Sequence, residues 1–101
     1  MKENEKSINA GPVAYVLKLF VIGASPNSAR AIANLTNICE THLEQNYTLE
    51  IIDVYQQPLL AQKEQIIALP MLMRILPAPV RRLIGDMSDT NKVLKGLGCA
   101  T

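Results

Sequence analysis

Tyr15-Val-Leu-Lys-Leu-Phe-Val-Ile22, followed at once by Gly23-Ala-Ser-Pro-Asn-Ser28, decides the fold. Six of the eight residues in the first segment are aliphatic or Phe, and Lys18 is its single charge. An apolar run of this length bounded by Gly and Pro reads as a strand buried on both faces. Gly23 allows a tight exit. Ser25 is placed to accept a backbone N–H as an N-cap, and Pro26 then falls at the first helical position, where its missing N–H costs nothing. The turn therefore opens a helix.

Working outward, that helix is expected over about 26–43. Ala31, Ile32, Leu35, Ile38, Cys39 and His42 or Leu43 recur at three and four residues, which gives one apolar stripe. Cys39 lies on the stripe and reads as a small buried hydrophobe. Asn46 marks the turn out, and Tyr47–Tyr55 reads as a second strand filled by Leu49, Ile51, Ile52 and Val54. Strand, long helix and strand make a right-handed crossover with parallel strands. The first strand is expected over 13–22. Residues 1–12 are polar, end at Gly11-Pro12 and read as a flexible N-terminal arm. Residues 13–101 read as a single domain.

The second half gives no single answer. Leu59–Leu69 has a helical composition. Met71–Leu76 and Val80–Gly85 suit a helix by propensity or spacing, and a short buried strand by length and by the flanking Pro70, Pro77 and Pro79. Asp86–Asp89 is a turn whose Ser88 or Asp89 caps a last helix over 90–97, weakened by Gly96. A segment whose local signals disagree lacks the consistency across levels of ordinary domains.

Composition narrows the function. At 101 residues and 49% hydrophobic content, the chain has enough apolar material for one modest core and should fold. A net charge of +1 argues against a nucleic-acid binder that relies on counterion release. Charge is uneven, however: −2 over residues 1–55 and +3 over 56–101. That asymmetry suits a surface meeting an acidic protein partner, or simply a solvated face. Cys39 and Cys99 lie far apart with no CxxC, and the lone His42 has no companion, so neither a metal nor another cofactor is expected. Neither a signal peptide nor a membrane span is expected, which points to a cytoplasmic setting.

Ser25-Pro-Asn-Ser28 sits where a thioredoxin-like unit carries Cys-x-x-Cys. A helix N-terminus there lowers a thiol pKa. A hydroxyl does no thiol–disulfide exchange, so a redox protein without the motif is only the alternative reading, and no enzyme is expected. Pro70 sits where that fold places a cis-proline; a trans proline ending a helix is the other possibility. Arg81 and Arg82, with Arg74, form the densest basic feature. Their planar forks suit carboxylates, as a docking patch or as a solubilising pair.

Five blocks then carry a resemblance: Tyr15 to Gly23, Ser25 to Arg30, Ile51 to Val54, Pro77-Ala-Pro-Val-Arg-Arg-Leu-Ile-Gly-Asp86, and Ser88-Asp89. Together they resemble the KaiB family of circadian-clock proteins over about 14–97. The resemblance implies a non-enzymatic partner of KaiC, a hexameric ATPase and autokinase whose phosphorylation state it modulates, in a clock or a related stress-response system. It also implies two arrangements of one chain. Both keep the βαβ front half. One is a thioredoxin-like βαβαββα monomer that docks on KaiC; the other is βαββααβ and assembles as a dimer or tetramer.

Carried over by position, the resemblance implies docking residues Lys63, Arg74, Arg81 and Arg82. It also implies an outer strand with Leu49 and Ile51, open to a further partner such as KaiA. KaiB-like domains also occur joined to histidine kinases. The switching region would contain Pro70, Pro77, Pro79, Gly85, Asp86, Gly96 and Gly98. Gly96→Ala is expected to favour the form with a C-terminal helix. This chain departs from the family in Leu69 and Met71 around Pro70, in the loss of acidic residues around Leu59–Gln65, and in Gly98 where an Asp is usual.

Overall fold

The computed structural model describes residues 14–66 and 68–99. The arm expected over 1–12 and the domain limits at 13 and 101 lie outside the described residues. The elements are β1 (Tyr15–Val21), α1 (Pro26–His42), β2 (Tyr47–Asp53), α2 (Pro58–Lys63), β3 (Met71–Leu76), β4 (Arg81–Ile84) and α3 (Thr90–Leu97). The order is βαβαββα, the thioredoxin-like member of the two expected arrangements.

One four-stranded sheet has the order β2-β1-β3-β4. β1 pairs in parallel with β2, from Tyr15 opposite Tyr47 to Val21 opposite Asp53. It pairs antiparallel with β3 on its other side, and β3 pairs antiparallel with β4. Alternation along β1 then explains the unbroken apolar run. Leu17, Leu19 and Val21 join Leu72 against Ala31, Leu35 and Ile38 of α1 and Val93 and Leu97 of α3. Phe20 points the other way, to Ile52, Met71 and Met73 beneath α2. Both faces of β1 are therefore covered, which its sequence requires.

The ambiguous segments resolve as follows. Met71, Leu72, Met73 and Arg74 are all buried, so β3 is a strand covered on both faces rather than a helix with one wet side. The segment over 81–84 is an edge strand. The helix expected over 59–69 stops at Lys63. Gln65 takes a left-handed backbone at φ 58°, and the Ile66 N–H closes back on the Ala61 carbonyl at 3.0 Å. The reason is geometric. Leu60 and Ile66 both pack on the Phe20 cluster, yet in a continuous helix residues six apart point roughly 120° away from each other. The first strand and second strand are each shorter than expected, by a residue or two at their ends.

α3 matches its expected span. Asp89 Oδ1 accepts the Lys92 N–H at 3.1 Å as its N-cap. Gly98, at φ 84°, ends it in the left-handed region, with the Cys99 N–H on the Leu94 carbonyl at 2.9 Å.

Gly96 has a second role beyond helix propensity. A Cβ built there meets Leu83 Cδ1 at 2.4 Å and Cγ at 2.9 Å, so the missing side chain lets α3 lie against β4. Replacing Gly96 by Ala gains helix propensity worth roughly 1 kcal/mol, but pushes the Leu83 side chain aside. We expect the full gain only in a Leu83→Ala background and a smaller or reversed one with Leu83 present. Urea melts of the four proteins measure it; equal increments in both backgrounds would show that Leu83 offers no opposition.

Candidate functional site

The end of β1 and the start of α1 form a closed hydroxyl network. Ser28 is fully buried. Its Oγ accepts the Ile22 N–H at 3.1 Å and shares a 2.8 Å hydrogen bond with Ser25 Oγ. Ser25 Oγ also accepts the Ser28 N–H at 3.2 Å, the expected N-cap. A cleft opens beside them, lined by Ile22, Ser25, Pro26, Arg30, Leu69 and Pro70. The peptide bond before Pro70 is cis. The cleft has the thioredoxin layout, but its two key positions hold alcohols occupied with each other. Cys39 is fully buried, and burial first, then Cys99 and Glu40, push it up to about 12. It stays a neutral thiol at physiological pH and is a poor nucleophile. Nothing in this geometry favours the redox alternative.

The basic residues separate into three situations. Lys63 is exposed in the last turn of α2. Arg81 is exposed on β4 and has no partner among the described residues. Arg82 is exposed too, but Nη2 donates to the Glu64 carbonyl at 2.8 Å and Nη1 to the Gln65 carbonyl at 3.3 Å. It ties the edge strand to the turn after α2, where the carbonyls that end a helix favour a cation. Lys63 and Arg82 are thus brought to neighbouring positions.

Arg74 does not join them. It is 6% exposed. Register places it opposite Arg81, yet its side chain runs under α3, where Nη2 reaches the Pro79 carbonyl at 2.8 Å and Nη1 the Gly96 carbonyl at 3.4 Å. In this arrangement β3 is an interior strand and the Arg74 side chain, unlike those of Arg81 and Arg82, is enclosed.

β2 is one edge of the sheet, as expected for an outer strand. Leu49 is half-buried and Ile51 is 40% exposed, so the β2 edge presents apolar side chains beside its outward backbone groups. Pro77 and Pro79 lie in the connection from β3 to β4, and Gly85 and Asp86 in the connection from β4 to α3.

One link was not legible as such. Arg30 Nε donates to Asp86 Oδ2 at 3.3 Å, and Asn34 Nδ2 donates to the Asp86 carbonyl at 2.9 Å. Arg30 also bonds the Asn27 side chain. Arg30 and Asn34 are four apart and share a helix face, a spacing that signals a common target without naming it. Hydrogen bonds from Ser88, ahead of Arg30, hold the Asp86 carboxyl below the usual carboxylate range. Its folded value lies below its unfolded one. Its contribution is therefore complete above the ordinary value, about 4, and fades as pH falls through the lower folded value.

Ser28→Ala removes a buried hydroxyl and leaves the part-buried Ile22 N–H without its acceptor, at a cost of about 1–3 kcal/mol. Ser25→Ala removes the part-buried N-cap, at about 1 kcal/mol. Denaturant melts should rank Ser28→Ala as the more damaging; the opposite order would show that the cap, not the buried hydroxyl, holds the turn.

Residues 18–99 match the family model described as KaiB domain. The chain is 54% identical over 83 residues to the circadian clock oscillator protein KaiB of Picosynechococcus sp., covering 82% of this chain and 80% of that one. It is 52% identical to that of Synechococcus elongatus, covering 82% and 81%. Among solved structures, the N-terminal domain of Synechococcus elongatus SasA superposes with a TM-score of 0.70 at 25% identity, over 88% of each chain. Fasciola hepatica thioredoxin gives a TM-score of 0.70 at 16% identity, over 96% of this chain and 90% of that one. The second likeness shows the fold alone.

Proposed function

The chain belongs to the KaiB family of circadian clock proteins, and from that premise we propose that it is a non-enzymatic regulator that docks on a KaiC-like hexameric ATPase. In this reading it modulates the ATPase's phosphorylation state, in a clock or a related stress-response system. The observation that carries the proposal is the exposed set Lys63, Arg81 and Arg82 on a thioredoxin-like scaffold whose own catalytic turn is filled by Ser25 and Ser28. Such a surface offers forks and a point charge to an acidic partner, and the scaffold offers no thiol beside them.

The proposal includes gating by refolding. The front βαβ unit is held by β1 on both faces. The back half, from Pro70 through Pro77, Pro79, Gly85, Asp86 and Gly96 to Gly98, rearranges between this docking-competent packing and a βαββααβ form that self-associates. Two packings of one sequence need free energies within a few kcal/mol of each other. Apparent affinity for the ATPase then falls by the competent fraction, so slow refolding delays binding. The β2 edge with Leu49 and Ile51 serves a further clock partner such as KaiA by strand addition.

Arg81 tests the surface with the least disturbance, since charge reversal there breaks no internal bond, whereas at Arg82 it breaks two. Arg81→Glu should weaken binding to a KaiC-type hexamer about fivefold, roughly 1 kcal/mol, at low ionic strength. The deficit should shrink in high salt, and the thermal midpoint should not move. Unchanged affinity at low salt removes this patch from the interface. Failure to bind any KaiC-type ATPase, with or without ATP and at every incubation time, refutes the proposal.

A further inference from the structure

The guanidinium of Arg74 is the deepest charge among the described residues and the worst provided for. It is 6% exposed. Its Nε has no hydrogen-bond partner. Only one of its two carbonyl contacts, Nη2 to Pro79 at 2.8 Å, is short; the other, Nη1 to Gly96, is 3.4 Å. Among the described residues no carboxylate reaches it: the ion pair there is Arg30 with Asp86, on a different part of the fold. Its partner in register is Arg81, a second cation. At Gly98 a Cβ would stand 3.1 Å from Nη1, and there is no side chain.

Taking an ion out of water costs several kcal/mol, and the interior returns that only with good geometry and an opposite charge. Arg74 has neither. The two carbonyls it bonds belong to an exposed residue, Pro79, and a half-buried one, Gly96, so neither sits in the fully buried core. We infer that Arg74 is an electrostatic load placed under α3, which lowers the stability of this packing and holds it close to its competitor. This deepens the switching part of the proposed function and rests on that reading for its purpose. The sign of the load itself does not depend on it. Any arrangement that lets the guanidinium reach water removes the penalty.

The test is Arg74→Met, which keeps the length and apolar volume of the stem and removes the charge. The ratio of the form with a helical 90–97 segment to its competitor, read from chemical shifts and hydrogen exchange, should rise about tenfold over wild type, at the lower end of what replacing a buried ion by an apolar group returns. Lys95→Met, which removes an exposed cation from α3, should leave that ratio within about twofold, as surface charges usually do. A ratio in Arg74→Met that is unchanged or lower overturns the inference and makes Arg74 a net tie between α3 and the β3–β4 connection. An equal rise in Lys95→Met also overturns it, because charge removal as such would then suffice. If Arg74→Met shifts the ratio as expected while neither protein binds a KaiC-type ATPase, the docking proposal falls and the load remains.

Discussion

Everything in this fold depends on β1 being covered on both sides. Its neighbours are β2, in parallel, and β3, in antiparallel, and its alternating side chains feed two separate cores. Phe20 is the sole phenylalanine of the chain and fills the smaller one. A fully buried side chain of this kind is worth about 1.5–3 kcal/mol in apolar transfer alone. The parallel partner requires a crossover, and α1 supplies it. The first half of the molecule is therefore specified by one strand and the helix that its exit turn caps.

The second half hangs on the first through β3. Beyond it, β4 is a four-residue edge and α3 an eight-residue helix. α3 keeps its place through Val93 and Leu97, through its caps, and through the absence of a side chain at Gly96. Met87, just before α3, buries its side chain while holding φ at 63°, a backbone that non-glycine residues seldom take. Together with the unpaired Arg74, these features describe a half that is packed but not overdetermined. That is the physical content of a sequence whose local preferences did not agree.

How much was legible follows the same division. The β1 run, the Ser25 cap, Pro26 at the helix start and the Cys39 stripe each carried one meaning, and the structure has them all in place. α3 was readable because its cap and its glycine stop are local. The limit of α2 was not, because Ile66 leaves the helix to reach a core built by residues far away in sequence. The burial of Arg74 was not legible for a related reason. Next to Arg81 and Arg82 in composition, it reads as part of a surface patch. Only the sheet order, which makes β3 interior, shows that its side chain is enclosed. The Arg30–Asp86 contact joins residues fifty-six apart, and no local pattern points from one to the other.

The Ser25–Ser28 contact has a consequence for the setting in which such a protein works. Where a thiol pair would stand, the bridge between strand and helix is an O–H···O bond of 2.8 Å. Hydroxyls do not exchange electrons with glutathione or with a dithiol reductant, so this corner keeps its shape at any cellular potential. A scaffold widely used for electron traffic is in this place insulated from it.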